Sequence, residues 1–185
     1  MQGPILLAVA LQNWDRYSVH ALIAREMAMD LAKGAGVPLH VLSVYDHEPV
    51  ETTSLSPEMA TRHREDTQRR TTLLMEQRLA DYMGPLQRVG LDVRGHLVVG
   101  NPRAIIVETA RQLAAGLLIM GSHSKRGIFD ISLGGTAQHV SRNAPCQVAL
   151  VSPNTCLEPN GEPGIDGLGA ARRAHCNTAY KVLRS

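Results

Sequence analysis

Hydrophobic residues along this chain fall into short aliphatic runs separated by longer stretches with helical spacing. Ile5-Leu6-Leu7-Ala8-Val9-Ala10-Leu11 is unbroken, the pattern of a strand buried on both faces. From Asp15 to Lys33, the residues Val19, Leu22, Ile23, Met27 and Leu31 recur at helical intervals, and Gly34 and Gly36 end the segment. Val37 to Tyr45 reads as a second strand, and the polar, proline-containing stretch from Asp46 to Pro57 as a surface loop. An arginine-rich helix is predicted from about Pro57 to Arg88, with Pro85, after Gly84, expected to break or kink its last turns. Asp92 to Val99 forms the third strand. Gly100-Asn101-Pro102 then makes a turn, with Asn101 as N-cap and Pro102 at the first helical position. The helix from Pro102 to Ala115 turns Ile105, Ile106, Thr109 and Leu113 to one face, and Gly116 stops it. Leu117 to Met120 is the fourth strand. A Gly/Ser/Lys/Arg loop, a helix from about Leu133 to Asn143 and a last strand from Gln147 to Val151 complete the order.

Strands that alternate with helices imply a parallel sheet covered on both faces, with right-handed crossovers. The expected fold is therefore α/β, a five-stranded doubly wound sheet spanning residues 1–152. Beyond Ser152 the pattern disappears, as Pro153, Pro159, Gly161, Pro163, Gly164, Gly167 and Gly169 crowd a short span. Residues 153–185 read as a disordered or loosely attached tail. Its end, Ala170 to Ser185, reads as a weak basic helix without a legible function.

Composition narrows the classes of function. Of 185 residues, 44% are apolar but only 3% aromatic, so the core must be aliphatic and base-stacking platforms for single-stranded nucleic acid are lacking. A net charge of +2 is too small to imply a DNA or membrane partner. Arg62, Arg64, Arg69 and Arg70 are interleaved with Glu65 and Asp66, which marks a solvated helix face. No apolar run approaches the roughly 18–20 residues of a membrane span, and the N-terminal segment has neither a basic region nor a cleavage-like site. A soluble, cytoplasmic protein is the expectation. Cys146, Cys156 and Cys176 form no CxxC pair, and no Cys/His spacing suits zinc; Cys146, beside an apolar run, reads as a small buried side chain.

The chemistry concentrates after the fourth strand. In open parallel sheets, ligands bind beyond the carboxyl ends of the strands, where the strand order switches. The segment there runs Met120-Gly121-Ser122-His123-Ser124-Lys125-Arg126-Gly127-Ile128-Phe129-Asp130-Ile131-Ser132-Leu133-Gly134-Gly135-Thr136. Small residues admit an anion close to backbone N–H groups, and Gly134-Gly135-Thr136 opens a helix whose free N–H groups favour phosphate. Thr136 adds a hydroxyl, and Lys125 or Arg126 would screen phosphate charge. The alternative is an ordinary strand-to-helix loop that needs glycines for its turns.

The run MGSHSKRGIFDISLGGTAQHVSRNAPCQVALV resembles the C-terminal signature of the universal stress protein family: Met-Gly-Ser-His-Gly, a nine-residue spacer, Gly-Ser or Gly-Thr, a helix, and Ala-Pro-Cys-Pro-Val. The resemblance covers roughly residues 3–152. It implies an adenine nucleotide alpha hydrolase-like sheet of order 3-2-1-4-5, a homodimer formed through the last strand and, in one branch, ATP bound at the first and fourth strands. Carried onto this chain, the nucleotide site falls on Ala10, Val41, Met120, Gly121, Ser124, Gly134, Gly135 and Thr136. Ser124 stands where the second glycine is usual, and Gly135 replaces the family's Ser or Thr. Ala10 stands where the family has an aspartate that contacts adenine or ribose, and Gln12 or Asn13 would have to substitute for it.

Walker-type GxxxxGK[ST], GxSxG and an early GxGxxG are all absent, and His123 reads as a turn-orienting or solvent-facing residue. No enzyme is expected. The leading expectation is a dimer that binds ATP or a related adenine nucleotide and acts in the stress response through partner interactions. A scaffold of the same fold that binds no nucleotide is the alternative. An adenylate-using enzyme is disfavoured because Leu11-Gln12-Asn13-Trp14 replaces a glycine-rich pyrophosphate loop, and a phospho-receiver because the acidic pair is missing.

Overall fold

The computed structural model describes residues 3–11, 17–47, 56–121 and 134–152, together with the backbone of 180–183. Strand β1 (Ile5–Ala8) leads to helix α1 (Val19–Ala35), β2 (Leu39–Tyr45) and α2 (Pro57–Arg88). These are followed by β3 (Val93–Val99), α3 (Pro102–Gln112), β4 (Leu117–Gly121), α4 (Gly135–Asn143), β5 (Gln147–Val151) and β6 (Tyr180–Leu183). The first five strands are parallel, in the order 3-2-1-4-5.

The sixth strand corrects the expectation of a weak basic helix near the C-terminus. β6 pairs antiparallel with the outer edge of β5, Val148 opposite Leu183 and Val151 opposite Tyr180. An edge strand leaves a row of N–H and C=O groups without partners, and a returning segment of β-prone residues satisfies them. Residues 153–179 of the tail lie outside the described residues.

Aliphatic cores fill both faces of the sheet. On one face Ile5, Leu7, Leu39, Val41, Leu117 and Ile119 pack beneath α1 and α2; on the other Leu6, Leu42, Leu118, Val148 and Leu150 meet α3 and α4. Cys146 is buried in the second core, and burial pushes its thiol above the usual range, so it behaves as a small hydrophobe. Among the described residues no helix is long and apolar enough to cross a membrane.

The helices depart from the sequence expectation in instructive ways. Helix α1 turns Ala21, Ala24, Ala28 and Ala32 into the core, while Val19 is 59% exposed and Leu22 36%. Ile23, Met27 and Leu31 only flank that line. Small side chains let the helix approach the sheet closely, so packing selected the alanine stripe over the larger residues. Helix α2 runs through Pro85 to Arg88. Leu86, fully buried one residue later, holds the last turn against the core and offsets the hydrogen bond that Pro85 cannot donate. Met75, Leu79, Tyr82 and Leu86 form the buried face of α2, whereas Arg62, Arg64, Arg69 and Arg70 are exposed as a solvated face should be.

At the β2–β3 border, His40 Nδ1 lies 2.8 Å from His96 Nε2, with the rings stacked 5.1 Å apart. Burial pushes both imidazoles below their usual range; His96 and Arg94 lower His40 further against an opposing pull from Asp92, and Arg94 lowers His96. A hydrogen bond between two ring nitrogens needs one to be unprotonated, so the folded pair resists a second charge. The unfolded imidazoles take up protons near pH 6.5 while the folded ones do not. Stability is therefore fully present above that pH and falls as the pH drops through it. Urea unfolding at pH 7.5 and 5.0 should show this loss, and the His40→Gln/His96→Gln double variant should show a shallower one. Equal pH dependence of both proteins would refute the assignment.

Candidate functional site

β1 and β4 lie side by side at the centre of the sheet, with Ala8 beside Met120. From β1 the chain winds outward through β2 to β3, and from β4 through β5 in the opposite direction. Both crossover series leave the carboxyl ends of the two central strands uncovered, which opens a crevice at the switch in strand order. A cavity of about 510 Å³ occupies this place, within the size range of small-molecule sites.

One part of its wall is apolar: Ala8, Leu42, Val44, Ile106 and Met120. Strand alternation puts Leu42 and Val44 on the same sheet face as Ala8 and Met120. Val41, one residue out of phase, is fully buried on the opposite face beneath α1 and α2 and does not line the cavity. Leu42 and Val44 thus take the place expected for Val41 in β2.

The other part is polar and rich in backbone. Ser18 caps α1, its Oγ accepting from the Ala21 N–H at 3.2 Å, and His20 lies on the first turn of that helix. Gly121 ends β4 against His20: a β-carbon built on it would sit 2.9 Å from His20 Cβ. Glycine at 121 is what permits α1 and β4 to meet here while the cavity stays open.

Opposite stand Gly134, Gly135 and Thr136 at the start of α4. Gly134 is the N-cap residue of this helix and supplies no side-chain hydrogen bond, and the first turn contains no acid. The opening N–H groups of a helix have no intrahelical acceptors, and together with the helix dipole they favour an anion. The neighbouring helix α3 is capped from its own turn, Asn101 Oδ1 accepting from the Arg103 N–H at 2.9 Å. No Asp or Glu is among the described residues that line the cavity. Nor do the described residues hold a group of three or more side chains suited to a metal ion.

Of the residues expected at a nucleotide site, Ala10, Met120, Gly121, Gly134, Gly135 and Thr136 all line this one cavity. Ser124, with His123, Lys125 and Arg126, lies outside the described residues, as do Gln12 and Asn13. Sequence reasoning passed over Ser18, His20, Leu42, Val44, Pro102 and Ile106 as wall residues. Three of these had a legible signal: Ser18 directly precedes a helical pattern, and the period of two ties Leu42 and Val44 to one face. His20 and Ile106 reach the cavity only through the packing of their helices.

Comparison with known proteins gives a consistent picture. Universal stress protein E of Escherichia coli is 24% identical over 160 residues, covering 85% of this chain and 49% of that protein. Its homolog in Haemophilus influenzae is 27% identical over 117 residues, covering 63% of this chain and 36% of that protein. The chain thus spans half or less of the length of these curated relatives. Among solved structures, protein MJ0577 superposes with a TM-score of 0.62 at 22% identity, covering 80% of this chain and 94% of that one. The universal stress protein of Archaeoglobus fulgidus in complex with dAMP gives 0.54 at 21%, covering 80% and 96%. A universal stress protein in complex with cAMP gives 0.50 at 20%, covering 80% and 97%. At these identities the structural likeness is one of fold, the adenine nucleotide alpha hydrolase-like sheet. The model of the universal stress protein family matches residues 5–152. That match runs from the first residue of β1 to the residue after β5, taking in the whole parallel sheet and both walls of the crevice, and the chain belongs to the universal stress protein family.

Proposed function

We propose that this protein binds ATP or a related adenine nucleotide in the crevice and acts in the stress response through partner interactions. The observation that carries the reading is the division of the cavity into an apolar part and a part built from the start of α4. A flat heterocycle is accommodated by Leu42, Val44, Ile106 and Met120, while a phosphate is held by backbone N–H groups at Gly134 to Thr136. Fold neighbours captured with dAMP and cAMP support the same ligand class. The reading is one of binding; among the described lining residues His20 is the sole titratable side chain.

Ala10 contributes a methyl group where an acid would hydrogen-bond the base or ribose. The absent bond is worth about 1.5–3 kcal/mol, or one to two decades of affinity, which favours weaker base recognition over none. Calorimetric titration of the purified protein with ATP, ADP and AMP should show saturable binding below about 1 mM. No heat and no competition at millimolar ligand would instead support the scaffold that binds no nucleotide.

Association of two copies through the outermost strand belongs to the same reading. Because β6 occupies the edge of β5, a second copy would pair with β6 or displace it. Size exclusion with light scattering should report twice the 20.1 kDa chain mass at tens of micromolar. A monomer there would overturn the dimer.

A further inference from the structure

Arg103 projects from the first turn of α3 toward the first turn of α4. A β-carbon built on Gly135 would lie 2.5 Å from Arg103 Nη2 and 3.4 Å from its Cζ. The guanidinium therefore occupies the space that any side chain at position 135 would need. Pro102, its chain neighbour, and Gly135, its contact, both line the cavity, whereas Arg103 is not itself among the lining residues. Among the described residues no carboxylate forms an ion pair with Arg103. The side chain is exposed, so its charge remains open to a ligand arriving from solvent.

We infer that Arg103 is a phosphate-binding residue of this site, its guanidinium seated on Gly135 beside the crevice. The inference rests on the nucleotide reading above and adds to it the group that reads phosphate charge. Backbone N–H groups at the start of α4 supply directional donors without net charge. Arg103 supplies a full positive charge and a planar fork of donors matched to phosphate oxygens. The site thus selects by phosphate: adenosine forgoes both features, AMP reaches the helix start, and the longer phosphate chain of ATP extends to the rim. Gly135 leaves room for the guanidinium in this position, since a β-carbon there would make the arginine side chain shift.

The test compares adenosine, AMP, ATP and inorganic tripolyphosphate on the wild type, Arg103→Gln and Arg103→Lys, with circular dichroism confirming that each is folded. Arg103→Gln is expected to weaken ATP and tripolyphosphate by about 10- to 100-fold, the range of a charge-assisted hydrogen bond, and to leave adenosine unchanged. It should also flatten the salt dependence of ATP affinity. Arg103→Lys, which keeps the charge but not the planar fork, should retain part of the affinity for both ligands. Unchanged ATP and tripolyphosphate affinity in Arg103→Gln overturns the inference and leaves the nucleotide reading standing. Wild-type binding of tripolyphosphate without any adenine ligand, lost in Arg103→Gln, supports Arg103 and overturns the nucleotide reading. A wild type that binds none of the four overturns both.

Discussion

Replacing Tyr82 with alanine is expected to lower the unfolding free energy by about 3–5 kcal/mol, the range for removing a buried aromatic ring. Tyr82 is fully buried on α2, and its hydroxyl donates to the Ala21 carbonyl of α1 at 2.6 Å. Tyr17 meets its ring edge-on at 5.2 Å, and the Arg25 guanidinium lies 5.3 Å from the ring centroid. One side chain therefore fastens two helices to each other and to the sheet. Burial drives its phenol far above the usual tyrosine range, so it stays a donor at any ordinary pH. Tyr82→Phe keeps the ring and removes only the donor, and should lose about 0.5–1.5 kcal/mol. Urea unfolding followed by circular dichroism measures both. With a typical domain stability of about 5–15 kcal/mol, the alanine variant should also melt many degrees lower. Losses of equal size in the two variants would show that the ring is not the anchor. Arg64→Ala, on the exposed face of the same helix, should stay within about 0.5 kcal/mol of the wild type.

Gly121→Val should abolish most nucleotide affinity while leaving a folded protein. A β-branched residue suits the end of a strand, but its β-carbon would fall 2.9 Å from His20 Cβ. Either α1 shifts outward or the new side chain fills the crevice. Overpacking of this kind costs about 1–3 kcal/mol, and its counterpart in binding is a loss of about 10- to 100-fold in ATP affinity. Gly121→Ala, which adds the β-carbon alone, should give an intermediate loss. ATP affinity unchanged in both variants would mean that the nucleotide does not occupy this crevice. The Gly121 and Arg103 variants separate by ligand: Gly121→Val should weaken adenosine as well, and Arg103→Gln should not.

The parallel sheet was legible because its strands announce themselves twice, as unbroken aliphatic runs and through the helices between them. A strand buried on both faces admits little except Val, Ile, Leu and Ala, and no other element of similar length carries that pattern. Helix starts were legible for a local reason as well. Asn101 caps α3 as expected, because the cap needs only a short acceptor followed by helix-forming residues. Helix faces were less so. Val19 and Leu22 recur at the helical spacing that marks α1, yet both are exposed and the sheet accepts the helix's alanines. Periodicity shows that a helix has an apolar side, but how near it can approach depends on the surface it meets.

The crevice shows the same boundary. Gly121, Gly134, Gly135 and Thr136 could be singled out because glycines at the ends of a strand and a helix have a backbone meaning wherever they occur. The family resemblance points to Val41, whereas Leu42 and Val44 line the crevice, and a step of one residue reverses the face of a strand. By itself, then, the sequence determined the alternation of strands and helices, the aliphatic core and the small residues at the switch in strand order, since these follow from local sterics and burial. Only the tertiary structure decided the face that α1 buries, the β2 side chains that line the crevice, the seating of Arg103 on Gly135 and the return of β6 to the edge of β5. Each depends on the approach of segments distant in the chain, which no local pattern encodes.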